Sequence, residues 1–123
     1  MRASSSGDAL ERRAVERLTR ISARLPDSGA TRSFGHPAFK VGGKSYAVID
    51  RYGGKPCLWL RIDPMERKAR LAEPGWFPSP YDPRRLALCC RLDSLDWRRL
   101  GRRVRDSYAL VALKMPRARR RKP

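Results

Sequence analysis

Two glycine pairs set what this chain can fold into. Gly42-Gly43 and Gly53-Gly54 interrupt the stretch from Ser33 to Ile62, which is otherwise rich in Phe, Val, Tyr, Ile, Leu and Trp. Adjacent glycines supply the two positive φ angles of a tight hairpin, and the β-branched and aromatic runs beside them favour extended backbone. The stretch therefore reads as three consecutive strands of an antiparallel meander. Both turns carry cations: Lys44 follows the first, and Arg51 and Lys55 flank the second. Two basic tips are expected to project beyond the sheet.

The rest of the chain supplies what such a sheet needs to cover one face. Leu10, Ala14, Leu18, Ile21 and Leu25 recur at helical spacing, with Asp8 as the expected N-cap, Glu11 as its capping-box partner and Pro26 as the stop. The other side of that helix carries Arg12, Arg13, Glu16, Arg17, Arg20 and Arg24 and reads as a solvated surface. Asp63-Pro64-Met65-Glu66 starts a short helix running to about Ala72, because proline at the first helical position lacks only an N–H that has no partner there. Glu73 to Pro83 reads as an ordered loop that packs Trp76, Phe77 and Tyr81 against sheet and helices.

Arg85 to Leu92 alternates as a strand, with Leu86, Leu88, Cys90 and Leu92 on one face. In the strand Lys55 to Ile62, Leu58, Leu60 and Ile62 share one face, and Cys57, Trp59 and Arg61 the other. A last helix, about Asp96 to Leu113, buries Trp97, Leu100, Val104, Tyr108 and Val111, and Gly101 near that face implies close approach of a neighbour. The expected fold is α+β, an antiparallel sheet with helices packed on one face. At 123 residues it forms one domain, over 8–115, between a disordered leader (1–7) and a basic disordered tail (116–123).

Charge narrows the function. Twenty-nine Lys and Arg against twelve Asp and Glu give a net +17, which favours a polyanionic partner. Residues 96–123 hold a net +9 of this and residues 31–62 a net +5. Without a long apolar run, neither a signal peptide nor a membrane span is expected. Three cysteines, an odd number, give no disulfide framework, and a cytoplasmic setting is the default. Cys57, Cys89 and Cys90 lack metal-site spacing, and His36 is the single histidine, so no metal, cofactor or catalytic residues are expected. The pair His36-Pro37 reads either as a ligand or acid/base group at the mouth of the meander, or as a strand-initiating turn.

Three separated motifs carry a family resemblance. The run from Gly35 through His36, Pro37, Ala38, Phe39 and Lys40 to Lys44 resembles the opening signature of the MmcQ/YjbR family. Glu73 to Tyr81 resembles that family's proline-rich segment. Leu95-Asp96-Trp97 through Tyr108, Leu110, Val111 and Ala112 resembles its last helix. The resemblance runs from about Asp8 to Met115 and implies a CyaY-like fold, together with a proposed DNA-binding role through two hairpin wings. It brings no settled activity. Iron, which frataxin-type proteins are understood to take on an acidic first helix, is not expected on a helix with more arginine than acid.

These strands of argument converge on a monomeric, non-enzymatic nucleic-acid-binding protein, DNA more than RNA, with little sequence specificity. Lys44, Arg51 and Lys55 would contact phosphates from the wings, Arg98, Arg99, Arg102, Arg103 and Arg105 from the last helix, and Arg117 to Lys122 as an arm. Two alternatives stay open. One is a small anionic-ligand site on the open sheet face, using His36, Lys40, Trp59, Arg61, Trp76, Tyr81 and Arg91. The other is an interaction module for an acidic protein.

Overall fold

The computed structural model describes residues 5–114. Its chain order is α1 (Ser5–Ser22), β1 (Ser28–Ser33), β2 (His36–Val41), β3 (Lys44–Tyr52), β4 (Lys55–Arg61), α2 (Arg67–Leu71), β5 (Trp76–Pro78), β6 (Ala87–Arg91) and α3 (Leu100–Ala112). The six strands form one open sheet in the order β1-β2-β3-β4-β6-β5, every neighbouring pair antiparallel. The fold is α+β, as the glycine punctuation and helical spacing require.

Three two-residue turns of one kind build the four-stranded half. Phe34-Gly35 has φ of 52° and 82°, Gly42-Gly43 59° and 79°, and Gly53-Gly54 61° and 76°. Paired positive φ of this size is the type I′ hairpin, whose twist matches that of the strands. The first of the three was not expected, so β1 emerges as a strand where the sequence, Ser-Gly-Ala-Thr-Arg-Ser, shows no apolar alternation. β5 likewise emerges inside what reads as a loop.

Register separates two faces. Phe39 pairs with Ala47, Ala47 with Leu60, and Leu60 with Leu88, all on the face that α1 and α3 cover. Val48 pairs with Trp59 and Trp59 with Cys89 on the other face. A bulge between Phe39 and Lys40 leaves Tyr46 as an extra residue in β3, and it joins the helix-side core with Phe39, Ile49, Leu58 and Leu60. From the helices come Ala14, Leu18, Leu100, Val104 and Val111. Each large side chain sealed this way contributes about 1.5–3 kcal/mol.

α1 and α3 run side by side in the same direction. At one end Arg17 Nη2 donates to the Trp97 carbonyl (3.1 Å), and at the other the Tyr108 hydroxyl donates to the Pro26 carbonyl (2.6 Å). Ser107, buried in α3, ties the layers: its Oγ donates to the Tyr46 carbonyl (2.6 Å) and accepts from the Arg61 N–H (2.9 Å). Hydroxyls of Ser22, Ser28 and Tyr46 form a chain joining α1, β1 and β3.

Four expectations change. α1 begins at Ser5, so residues 5–7 are helical and not leader, and Asp8 lies in the first turn instead of capping. There it favours the helix dipole, and with Glu11 it takes an arginine from the sheet. α3 begins at Leu100, because i→i+3 bonds from the Arg99 N–H to the Asp96 carbonyl (3.1 Å) and from the Leu100 N–H to the Trp97 carbonyl (3.4 Å) hold the preceding residues in a tighter turn. At Gly101 a Cβ would meet Arg105 Nη1 at 3.1 Å, so the crowding comes from α3's own arginine and not from a neighbouring element. Tyr81 does not pack; it is 87% exposed. The basic tail 116–123 lies outside the described residues.

Candidate nucleic-acid interface

The two expected wings do not meet. Successive turns of a meander alternate ends, so Lys44 and the Arg51/Lys55 pair stand at opposite ends of β3, a nine-residue strand of roughly 26–30 Å. Lys44 and Lys55 are exposed. Arg51 is not available: its Nη2 pairs with Asp8 Oδ1 (3.2 Å) and Glu11 Oε1 (3.1 Å) of α1, and its Nη1 donates to the Gly54 carbonyl (3.0 Å).

The arginines of the last helix divide as well. Arg98, Arg99, Arg102 and Arg103 border a groove of about 560 Å³ between α2 and α3, together with Glu66, Glu73 and Asp106. Arg103 Nη2 sits 3.0 and 3.1 Å from the two Glu73 oxygens. Arg99 pairs with Asp96 (3.5 Å) and Arg102 more loosely with Asp106 (3.9 Å). Beneath them Trp76 lies under Arg70 (4.8 Å) and Arg103 (5.8 Å). Trp76 therefore faces the helices and not the open sheet face, because its partner Cys90 shares the face of Leu58. Burial, then the nearby Arg103, lowers the Arg70 pKa. Arg105, by contrast, lies alongside Gly101 on the flank toward α1.

That flank holds the set that sequence reading passed over. Arg13, Arg17, Arg20 and Arg24 follow one another at intervals of 4, 3 and 4 along and just beyond α1, which stacks them along one side of a helix. The side is fixed by Trp97: Arg13 Cζ lies 4.1 Å and Arg17 Cζ 5.9 Å from its ring centre. Asp8, Glu11 and Glu16 border a hollow with Arg12, Arg32 and Pro37. Asp8 and Glu11, which take Arg51, lie apart from the arginine line, whereas Glu16 stands one turn from Arg13 and Arg20. Arg13 and Arg17 meet Trp97 at the crease between α1 and α3; Arg20 and Arg24 continue their line by the 4-3-4 spacing, which was the available signal, and Arg105 follows by spacing on the side of α3 that carries Tyr108.

The open sheet face carries different chemistry. A groove of about 710 Å³ has His36, Val48, Asp50, Tyr52 and Trp59 in its lining, with Phe34 and Tyr81 at its rims. Asp50 is its polar hub. Its Oδ1 lies 3.2 Å from His36 Nε2 and accepts from the Arg51 N–H (2.8 Å), and its Oδ2 accepts from the Tyr52 hydroxyl (2.9 Å). Burial, then the bond to Asp50, raises the Tyr52 pKa well above the ordinary phenol range. Tyr52 meets Phe77 edge-on, 6.1 Å between ring centres.

Of the residues expected on this face, His36, Trp59 and Tyr81 do converge. Lys40 lies toward the Gly42-Gly43 end, opposite Ser45. Arg61 pairs with Ala87 at the far end of β4, and Arg91 is engaged with Asp93 (2.6 Å). No lysine lines the groove, and its one lining arginine, Arg51, turns its guanidinium to α1. Among the described residues, an anion finds no lysine or arginine side chain turned into the groove.

Among the described residues no group of three or more His, Cys, Asp or Glu is placed to hold a metal ion. Cys57, Cys89 and Cys90 are buried thiols, and burial pushes Cys89 and Cys90 up to about 12, which makes them poor nucleophiles at neutral pH. No described helix is long and apolar enough to cross a membrane.

Comparison with known proteins fits this geometry. No curated protein matches the chain. Among solved structures, Deinococcus radiodurans protein DR2400, with family-model domain DUF419, is similar at 29% identity and TM-score 0.72, over 85% of this chain and 83% of that one. A Pseudomonas syringae structural-genomics protein shares the fold at 15% identity and TM-score 0.62, over 78% and 97% of the two chains. The sequence model of YjbR matches residues 23–110, from the end of the first helical segment to the last turns of α3. The chain belongs to the YjbR family.

Proposed function

We propose that this protein is a non-enzymatic nucleic-acid-binding protein that holds duplex DNA through phosphate contacts, with little sequence preference. The observation that carries the reading is the line of Arg13, Arg17, Arg20 and Arg24 along the first helical segment, which meets Trp97 at the crease with α3 and leaves Asp8 and Glu11 apart from it. Two parallel helices buried against one sheet hold these cations as a rigid array, so little side-chain order is lost on meeting a polyanion. Arg98, just before α3, and Arg102, on it, are also exposed, but they border the α2 groove apart from this array. Lys44 and Lys55, near opposite ends of β3, lie outside this array and do not act as a pair of wings.

Filter binding to random-sequence duplex at several salt concentrations tests this. With five phosphates neutralised at the crease, log affinity falls against log salt with a slope of about −4 to −5, and affinity rises with duplex length. A flat salt response, or affinity confined to one sequence, removes the reading.

A further inference from the structure

We propose that the groove on the open sheet face is a second, separate site, built for an uncharged planar aromatic molecule that carries an N–H or O–H donor. Three independent features support this. Phe34 is fully exposed, yet it holds φ at 52° in the first position of a type I′ turn. Glycine and asparagine occupy that position without strain, and a bulky aromatic does not. In the free molecule the exposed ring buries nothing that would offset the strain, so its use lies with something that arrives.

Across the groove stands Tyr81, also mostly exposed, from the loop after β5, and between the two rims lies Trp59, partly exposed. Three aromatic groups bordering a volume of about 710 Å³ match the size and lining of a small-molecule site.

The polar group that remains is His36, whose Nε2 lies 3.2 Å from Asp50 Oδ1. On a neutral ring with its proton on that side, Nδ1 is an acceptor, and no hydrogen bond to it is formed among the described residues. Asp50 and the lack of an inward-turned Lys or Arg disfavour a carboxylate or phosphate. Stacking between Phe34, Trp59 and Tyr81, with one hydrogen bond given to His36 Nδ1, is the recognition this surface offers.

The probe is 2-naphthol, a planar ring with a neutral hydroxyl, titrated into the full chain while amide shifts and the Trp59 indole N–H resonance are followed. Saturable shifts are expected at His36, Asp50, Trp59 and Ser79. 2-Methoxynaphthalene, which lacks the donor, binds about five-fold more weakly, in line with one hydrogen bond fewer, and 2-naphthoate binds no tighter than the naphthol. Phe34→Asn weakens 2-naphthol at least about five-fold while raising the melting temperature, a pairing that a merely structural residue does not produce. Tyr81→Ala weakens it without that gain, and His36→Ala abolishes the difference between the hydroxyl and methoxy probes. Unsaturable shifts, tighter binding of 2-naphthoate, or an unchanged affinity in Phe34→Asn overturns the proposal. Random duplex at low salt leaves naphthol affinity unchanged, so this result and the DNA result stand or fall apart.

Discussion

Leu58, Trp59 and Leu60 follow one another in β4, and they show how differently the two faces of one sheet are used. Leu58 and Leu60 are sealed beneath α1 and α3, whereas Trp59 between them looks onto a groove. On the helix side the apolar surface is turned inward and the arginines are carried outward on α1 and α3. On the other side the aromatic groups stay at the surface and the hub is a carboxylate. In the proposed reading, polyanion affinity belongs to the helices and recognition of a ring to the sheet.

The largest effect that separates the two sides is electrostatic. Replacing Arg13, Arg17, Arg20 and Arg24 with Gln should flatten the salt slope for duplex DNA by about 3–4 units, near 0.9 for each phosphate that is no longer neutralised. Lys44→Ala with Lys55→Ala should leave it nearly unchanged. If the lysine pair flattens the slope as much as the four arginines do, the helix side is not the binding side.

Next comes packing. Leu60→Ala should cost about 3 kcal/mol in urea unfolding, from reduced burial and the cavity left behind, while Trp59→Ala on the groove side should cost about 1 kcal/mol. Equal losses would mean that the open face is as much a core as the other.

Alkaline pH probes where the open face closes. Cys89 lies on the groove's side of β6 and Cys90 on the helix side, and burial raises both thiols from 9.0 to about 12. The unfolded chain ionises first, so stability falls as pH rises from about 9 toward 12, by about 1.4 kcal/mol per pH unit for each thiol. Cys89→Ala and Cys90→Ala should each remove one such contribution from the slope of unfolding energy against pH. A smaller change for Cys89 would show that water reaches beneath Phe77.

The smallest effect belongs to Arg91 and Asp93, an exposed pair. The hydrogen bond from Arg91 lowers the Asp93 pKa, so this contribution is present above the ordinary carboxylate pKa and lost as pH falls through the lower folded value. Screening by water and salt keeps it small. Asp93→Asn should leave the urea midpoint at pH 7 within experimental scatter.

Much of this fold is legible in the residues alone. The glycine pairs fixed β2, β3 and β4, and the alternation in 85–92 placed Leu88 and Cys90 on the core side. The three separated motifs pointed to the family whose model matches 23–110. What escaped was set by distance along the chain. Ringing the groove with His36 opposite Asp50 depends on the bulge: with no extra residue after Gly42-Gly43, the register would set His36 opposite Ile49, on the wrong face. Trp76 was misplaced because β5 pairs only three residues, too few for periodicity to fix a face. The stripe on α1 was visible as spacing, but its meaning required the parallel packing that turns that flank toward Trp97.

The two strands that composition concealed are also the two margins of the sheet. β1 is polar and almost wholly exposed, with Arg32 and Gly29 in it, and β5 is three residues long and ends in Pro78, which has no N–H to offer. An incoming chain seeking a seventh strand meets charge and glycine at one border and a stub at the other. The weak β signal that hid these segments also makes both margins poor templates for a further strand from a second copy.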